Sequence, residues 1–174
     1  NESISFDHDT LTEDLDFTYR LHKKKLKIVY DRRMVAFTQD PLTLTAYINQ
    51  MRRWFGGGWQ CLLKHYALAT RDPRVALELS LMYMEGIAFS ILLFVLPLLS
   101  LKFYFTIILS YLITASIFAM FAARKDNRVE LLLVPIPYLL IIYIHSYIFL
   151  EQFVKEVIFR KKNLTWFKPD RINI

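Results

Sequence analysis

Three long stretches almost without charge dominate the second half of the chain, at residues 86–101, 103–123 and 131–150. The second holds 21 uncharged residues and the third 20, whereas the first holds 16 and needs residues 79–84 to reach the length of a bilayer-crossing helix, roughly 20 residues. A core helix of a soluble protein is rarely so long and so free of charge. The sequence therefore predicts a second half that is helical and inserted in a membrane.

Charge is concentrated on either side of these stretches. Charged residues crowd residues 1–74 and 151–171, and the formal net charge is +6. Because the basic residues flank apolar segments, where Lys and Arg meet anionic lipid, and no nucleic-acid-binding module is recognisable, we expect a lipid bilayer and no nucleic acid as a partner. The single cysteine, Cys61, excludes an internal disulfide and a cysteine metal cluster and fits a reducing compartment.

These patterns predict an α/β region followed by a membrane α-helical region. The predicted division is a polar domain end with an interface helix at 1–60, an amphipathic connector at 61–84, a membrane region at 85–159 and a basic tail at 160–174. The membrane helices are expected at about 82–101, 103–123 and 131–150, the first two as a tight hairpin around Lys102.

The polar region shows signals for both helix and strand. Thr12 offers a side-chain oxygen that can cap a helix over residues 12–25, and acidic side chains in the first turn complement the helix dipole. Residues 28–30 and 34–38 are short β-prone runs, which predict strand edges of an α/β domain.

A second helix is predicted from Pro41 to Phe55. Asp40 is its expected cap, Pro41 suits the first helical position, and the three glycines at 56–58 are expected to end it. Apolar residues at helical spacing give it one face suited to packing on a domain or lying at a bilayer surface.

The positive-inside rule gives conflicting signals about topology. If the polar domain is cytoplasmic, the basic loop at 124–128 is cytoplasmic too, and three crossings would place the tail outside. The tail nevertheless carries five basic residues, which indicate the inside. Pro135 and Pro137 make 131–150 the segment most prone to be broken or re-entrant, and we expect a cytoplasmic tail.

Two motifs in order carry a resemblance to a known family. Thr12-Glu13-Asp14 is followed by Pro41-x-Thr43 and then by Gln50-x-x-Arg53-Trp54, with apolar spans afterwards. This arrangement resembles processive family-2 glycosyltransferases, the cellulose, chitin, hyaluronan and poly-N-acetylglucosamine synthases, whose signatures are a Thr-Glu-Asp motif and a later Gln-x-x-Arg-Trp motif before a membrane bundle. The motif match covers residues 11–64, and the details around it look most like poly-N-acetylglucosamine synthases. The tail motif Trp166-x-Lys168-x-x-Arg171 is similar to an ending common in bacterial relatives.

The resemblance implies a role for each motif residue. Asp14 would be the general base that takes the proton of the acceptor hydroxyl, with Glu13 beside it in the substrate site. Arg53 and Gln50 would bind the leaving diphosphate, and the indole of Trp54 would stack on the acceptor sugar. The plainer alternatives are that the two carboxylates only complement the helix dipole and that Arg53 and Trp54 only pack at an interface.

The resemblance also implies what lies outside this sequence. The chain would be the C-terminal end of a GT-A-like catalytic domain, with Mg2+ or Mn2+ held on the donor by an Asp-x-Asp motif upstream. Asp14-Leu15-Asp16 has that spacing, but it overlaps the acceptor motif and is discounted. We therefore expect a fragment that is inactive alone and that needs its missing N-terminal half.

The function implied is transfer of a sugar, with N-acetylglucosamine favoured, from a UDP-sugar to a growing β-linked polysaccharide, with inversion at the anomeric carbon. The enzyme would be a multi-pass protein of the cell membrane with a cytoplasmic catalytic part and an accessory membrane or secretion subunit as a possible partner. Two alternatives stay open: a non-processive transferase that uses a lipid acceptor and makes a glycolipid, and a non-enzymatic membrane scaffold or transporter.

Overall fold

The computed structural model describes residues 6–7, 9–70, 73–162 and 164–165, so the tail motif at 166–171 lies outside the described residues. The chain divides into two compact units. One, here the motif unit, comprises Asn1–Tyr83 and Ile148–Ile174, and the other, the apolar unit, comprises Met84–Tyr147.

Helices make up the regular structure of the described residues. They are α1 (Glu13–Lys23), α2 (Leu44–Ala69), α3 (Pro73–Leu99), α4 (Leu101–Asp126) and α5 (Pro135–Phe153), with a 3-10 turn at Val129–Leu133 and a π-helical turn at Val154–Ile158.

The two strand edges predicted in the polar region are not formed. Residues 28–30 and 34–38 have an irregular, exposed backbone, and Phe37 is 96% exposed. A strand needs a neighbour for its backbone hydrogen bonds, and none of the described residues forms one. The β-prone side chains alone therefore do not make an α/β layer in this part of the chain.

Helix α2 begins later and ends later than predicted. Thr43, and not Asp40, is its N-cap residue, because the Thr43 hydroxyl accepts a hydrogen bond from Ala46 N at 3.2 Å. The helix then runs through all three glycines to Ala69, with non-helical backbone angles at His65. The glycines thus lie inside one helix and do not end it.

Close packing explains the three glycines. A Cβ atom on Gly57 would lie 2.6 Å from Thr12 Cγ2 and 2.9 Å from Thr12 N. On Gly56 it would lie 3.0 Å from Gln152 Oε1, and on Gly58 it would lie 3.0 Å from the Tyr83 hydroxyl. Because the glycines have no side chains, three other segments can approach the α2 backbone: the segment before α1, the end of α5 and the start of α3.

Three helices are long and apolar enough to cross a membrane: Val75–Leu99, Leu101–Asp126 and Pro135–Ile158. Ser100 alone separates the first two, so the break comes before Lys102, which lies in the first turn of α4. The third begins at Pro135 and not at 131. Proline is well suited to this position, because the first N–H groups of a helix have no partner within the helix.

Aromatic side chains connect the helices of the apolar unit. The Tyr104 and Tyr143 hydroxyl groups are hydrogen-bonded, and the rings of Tyr111 and Tyr138 stack at 5.8 Å. The later residue of α4, Tyr111, contacts the earlier residue of α5, Tyr138. The two helices therefore run antiparallel.

Candidate active site

The Thr-Glu-Asp motif lies where α1 docks on α2. Thr12 precedes α1, and its hydroxyl lies 3.4 Å from the sulfur of Cys61, which is fully buried. Its methyl group faces the bare backbone of Gly57. The first turn of α1, with Glu13 and Asp14, is therefore anchored to the middle of α2.

The Gln-x-x-Arg-Trp motif lies on the same face of α2 as this docking point. Its three residues precede Gly57 by seven, four and three positions, which is the spacing of one helix face. Trp54 is 48% exposed, while Gln50 and Arg53 are half-buried. The structure thus places Thr12 of the first motif against the same face of α2 that carries the second motif.

Asp14 presents an exposed carboxylate at the start of α1. One of its carboxylate oxygens accepts a hydrogen bond from Leu15 N at 2.8 Å, and its carbonyl accepts one from the Thr18 hydroxyl. Glu13, in the same turn, is half-buried. An exposed carboxylate fixed by its own helix can meet a substrate hydroxyl without first leaving a partner side chain.

Gln50 has a polar atom available inside the site. Its side-chain oxygen is buried and accepts no hydrogen bond from the described residues. A buried polar atom without a partner costs free energy, and such atoms often mark the place of a ligand or a water. This oxygen can accept a hydrogen bond from a sugar hydroxyl or an amide of a bound substrate.

Arg53 opens onto a cleft of about 280 Å³ in the motif unit. The residues that line it are Leu11, Asn49, Arg52, Arg53, Gln152, Lys155, Glu156, Lys161 and Thr165. Glu151 accepts hydrogen bonds from Arg52 at 2.9 Å and from Lys155 at 2.6 Å, which offsets part of the positive charge beside the cleft. The remaining excess of cations suits an anionic ligand.

A buried cluster of charges fixes α1 against the far end of α2, and sequence reasoning missed it. Asp16 is fully buried, and Oδ1 of its carboxylate lies 2.9 Å from Lys64 Nζ and 2.7 Å from His65 Nε2. Burial opposes ionisation, but the hydrogen bonds from Lys64 and His65 outweigh it and hold the pKa of Asp16 below its ordinary value. The sequence alone places Asp16 among the acidic residues of the first turn of α1. No local pattern indicates its partner His65, which lies 49 positions away.

A divalent metal does not fit this cluster. Asp7, Asp9 and Asp16 lie close enough to share an ion, but the Lys64 ammonium already lies among them, 2.6 Å from Asp9 and 3.3 Å from Asp7. Burial disfavours the Lys64 charge, yet the three carboxylates outweigh it and raise the pKa of this ammonium above its ordinary value. Asp14, two positions before Asp16, is exposed and is not one of these three carboxylates. The described residues thus offer no Mg2+ or Mn2+ site here.

Comparison with known proteins gives one match. The profile of a family described as Glycosyl transferase family group 2 matches residues 1–150, which is most of the chain. No curated protein and no solved structure matches this chain.

Proposed function

Because the chain belongs to glycosyl transferase family group 2 and has three helices long and apolar enough to cross a membrane, we propose that it is the acceptor-side part of a membrane polysaccharide synthase. The enzyme transfers a sugar from a UDP-sugar to a growing β-linked chain. The observation that carries this proposal is the docking of Thr12 on Gly57, one turn after Arg53 and Trp54 on the same face of α2. It holds the start of the first motif against the helix face that carries the second motif.

Asp14 is proposed as the general base. The acceptor hydroxyl oxygen forms the new bond to the anomeric carbon as the bond from that carbon to the diphosphate oxygen breaks. The hydroxyl proton passes to the Asp14 carboxylate, and the electron pair leaves with the diphosphate. Attack opposite to the leaving group inverts the anomeric configuration.

The motif residues on α2 bind the two substrates. The Arg53 guanidinium offers several N–H donors to the leaving diphosphate, and the Gln50 amide adds another donor. The exposed Trp54 ring stacks on the apolar face of the terminal acceptor sugar, and Glu13 contacts the same sugar. Because each group is fixed on a helix, the acceptor meets the base in a restricted set of orientations.

Mg2+ or Mn2+ remains part of the proposal, with ligands outside the residues described here. None of the steps above passes through the metal.

The proposed orientation places the motif unit and the end of α5 on the same, cytoplasmic, side of the cell membrane. The motif unit itself contains both the start of α3 and the end of α5, joined to α2 by the Arg52–Glu151 ion pair. Under this proposal the chain between Tyr83 and Ile148 crosses the bilayer an even number of times, so one of the three apolar helices does not cross it completely. This orientation agrees with the basic residues of the tail.

Cysteine labelling in sealed membranes tests the orientation. Lys27→Cys and Lys162→Cys place thiols at exposed positions near the two ends of the motif unit, while burial raises the pKa of the native Cys61 thiol and keeps it unreactive. An impermeant maleimide should label both new cysteines from the same side. Labelling from opposite sides would contradict the proposed orientation.

The function is tested with the full-length protein in membranes, a panel of labelled UDP-sugars and a divalent metal. We expect one sugar to enter high-molecular-weight product in wild type and not in Asp14→Asn, whereas Asp126→Asn at the end of α4 should behave like wild type. Label that extracts into organic solvent would instead identify a glycolipid-forming transferase. Full activity of Asp14→Asn would eliminate the proposed base.

A further inference from the structure

A buried amide joins the segment before α1 to the end of the last apolar helix. Leu11 N donates a hydrogen bond to Gln60 Oε1 at 3.0 Å, and Gln60 Nε2 donates one to Glu156 Oε1 at 3.0 Å. Gln60 is 5% exposed and Glu156 4% exposed. One side chain thus connects three parts of the chain that are 49 and 96 positions apart.

The first of these bonds acts on the catalytic motif. Leu11 directly precedes Thr12-Glu13-Asp14, and its side chain lies 3.7 Å from the position of a Cβ on Gly56. The backbone of Leu11 is therefore held by α2 immediately before α1 begins. A shift of Gln60 would move the start of α1 and with it the Asp14 carboxylate.

The second bond ends in an unusual turn of the backbone. Glu156 lies in the π-helical turn Val154–Ile158, which closes with a hydrogen bond from Phe159 N to Val154 O at 2.9 Å. Such turns are rare and are frequently found at functional sites. The wider turn changes the direction of the side chains from that of a continuing α-helix, and here it accompanies a carboxylate buried against α2.

Aromatic packing keeps the two helices at a fixed distance around this bond. The Trp59 ring, next to Gln60, lies 5.2 Å from Phe149 and 5.1 Å from Phe153. These contacts pack α2, next to Gln60, against the end of α5. Because Gln60 and Glu156 are both buried, breaking their hydrogen bond would leave a polar group without water to replace the partner.

We propose that Gln60 and Glu156 are positioning residues for sugar transfer, which set the place of Asp14 relative to the end of α5. This inference rests on the proposed function. Neither residue belongs to the two sequence motifs, and neither takes part in bond making. Their action is on the geometry with which the base meets the acceptor.

A swap of the two side chains tests the inference in the full-length protein. Gln60→Glu keeps an acceptor for Leu11 N but turns a carboxylate oxygen toward Glu156, so the second bond is lost and two carboxylates face each other. In the double variant Gln60→Glu/Glu156→Gln, the new amide of residue 156 can donate to the new carboxylate of residue 60, which restores both bonds. Asn127→Asp, an exposed amide-to-carboxylate change after α4, is the matched control.

We expect Gln60→Glu to lower kcat about 100-fold, the effect of a displacement of about 1 Å at a reacting group, with the KM for the UDP-sugar unchanged. The double variant should recover most of the kcat that the single variant loses. Hydrogen exchange of the peptide over residues 9–16 should be faster in Gln60→Glu and return to the wild-type rate in the double variant.

Several results would overturn the inference. Wild-type kcat in Gln60→Glu would do so, as would a double variant no better than the single one. A loss of activity that matches the loss of folded protein would show a purely structural role. If wild type transfers no sugar, the proposed function fails, whereas the exchange rates still decide whether this bond holds the start of α1.

Discussion

The motif unit buries charged and amide side chains, whereas the apolar unit exposes large apolar ones. In the motif unit, the buried residues include charged and amide groups that bond across long separations in sequence: Asp16, Gln60, His65 and Glu156. In the apolar unit, large apolar side chains face outward, with Leu98 84% and Phe118 70% exposed. The first unit therefore depends on specific partners, whereas the second has a surface suited to lipid.

This contrast shows where sequence changes should matter. A buried charge or amide forms its hydrogen bonds in one specific geometry. Substitution of its partner leaves a buried polar group without a hydrogen bond. An outward apolar side chain contacts lipid chains that can rearrange around a smaller replacement. Sensitivity to substitution should therefore be high and local in the motif unit and low over much of the apolar unit.

The largest effect is expected for Asp16→Asn. The change removes the charge that lies between Lys64 and His65, and loss of one partner of a buried ion pair costs about 3 kcal/mol. Thermal unfolding of the purified protein in detergent should show a clearly lower midpoint. Asp126→Asn serves as control. Equal midpoints for the two variants would show that the motif unit is no more sensitive to the loss of a carboxylate than the apolar unit.

A smaller loss is expected for Gly57→Ala. Alanine favours a helix over glycine by about 1 kcal/mol, but its Cβ would overlap the Thr12 backbone, and overpacking of this kind costs about 1–3 kcal/mol. The free energy of unfolding should therefore fall by about 1 kcal/mol. A Cβ on Gly58 would lie 3.0 Å from the Tyr83 hydroxyl, farther than the Thr12 atoms lie from a Cβ on Gly57, so Gly58→Ala should lower the free energy of unfolding less. A reversed order would show that the docking of Thr12 is not tight.

Acid should weaken the contribution of Asp16. Because its folded pKa lies below the ordinary value of 3.8, its stabilising effect is complete above that value and is lost as the pH falls through the lower folded value. The difference in unfolding midpoint between wild type and Asp16→Asn should therefore be smaller below about pH 4 than at pH 7. A difference that stays constant into acid would mean that the charge on Asp16 does not stabilise the fold.

The smallest effect is expected for Leu109→Ala on α4. Leu109 is exposed in the apolar unit, where lipid would take the place of the lost methyl groups. Sugar transfer should stay within about two-fold of wild type, because a lipid-facing truncation leaves no cavity inside the protein. A large loss of transfer in membranes would show that this face of α4 packs on protein.

Sequence reasoning succeeded where the signal was local. The three apolar helices followed from charge-free length, and the family match confirms the resemblance to family-2 glycosyltransferases. Helical spacing predicted that Gln50, Arg53 and Trp54 share one patch of α2, although their roles remain predictions. Each of these patterns can be read from neighbouring residues.

Sequence reasoning failed where the deciding contact joins residues far apart in the chain. The glycines at 56–58 look like a helix end, and only the approach of Thr12, Gln152 and Tyr83 explains why the helix continues. The β-prone run at 34–38 lacks a neighbouring strand among the described residues, so propensity alone does not order it as a strand. The bonds of Asp16 and Gln60 join positions that no spacing rule connects.

Separate measurement of binding and chemistry tests the central claim most directly. Full-length wild type and Asp14→Asn would be compared for UDP-sugar affinity and for the rate of transfer to acceptor in a single turnover. We expect affinities within about two-fold of each other and a transfer rate at least about 100-fold lower in the variant, the usual contribution of a general base. An unchanged transfer rate, or a loss explained entirely by weaker donor binding, would contradict the assignment of Asp14 as the base.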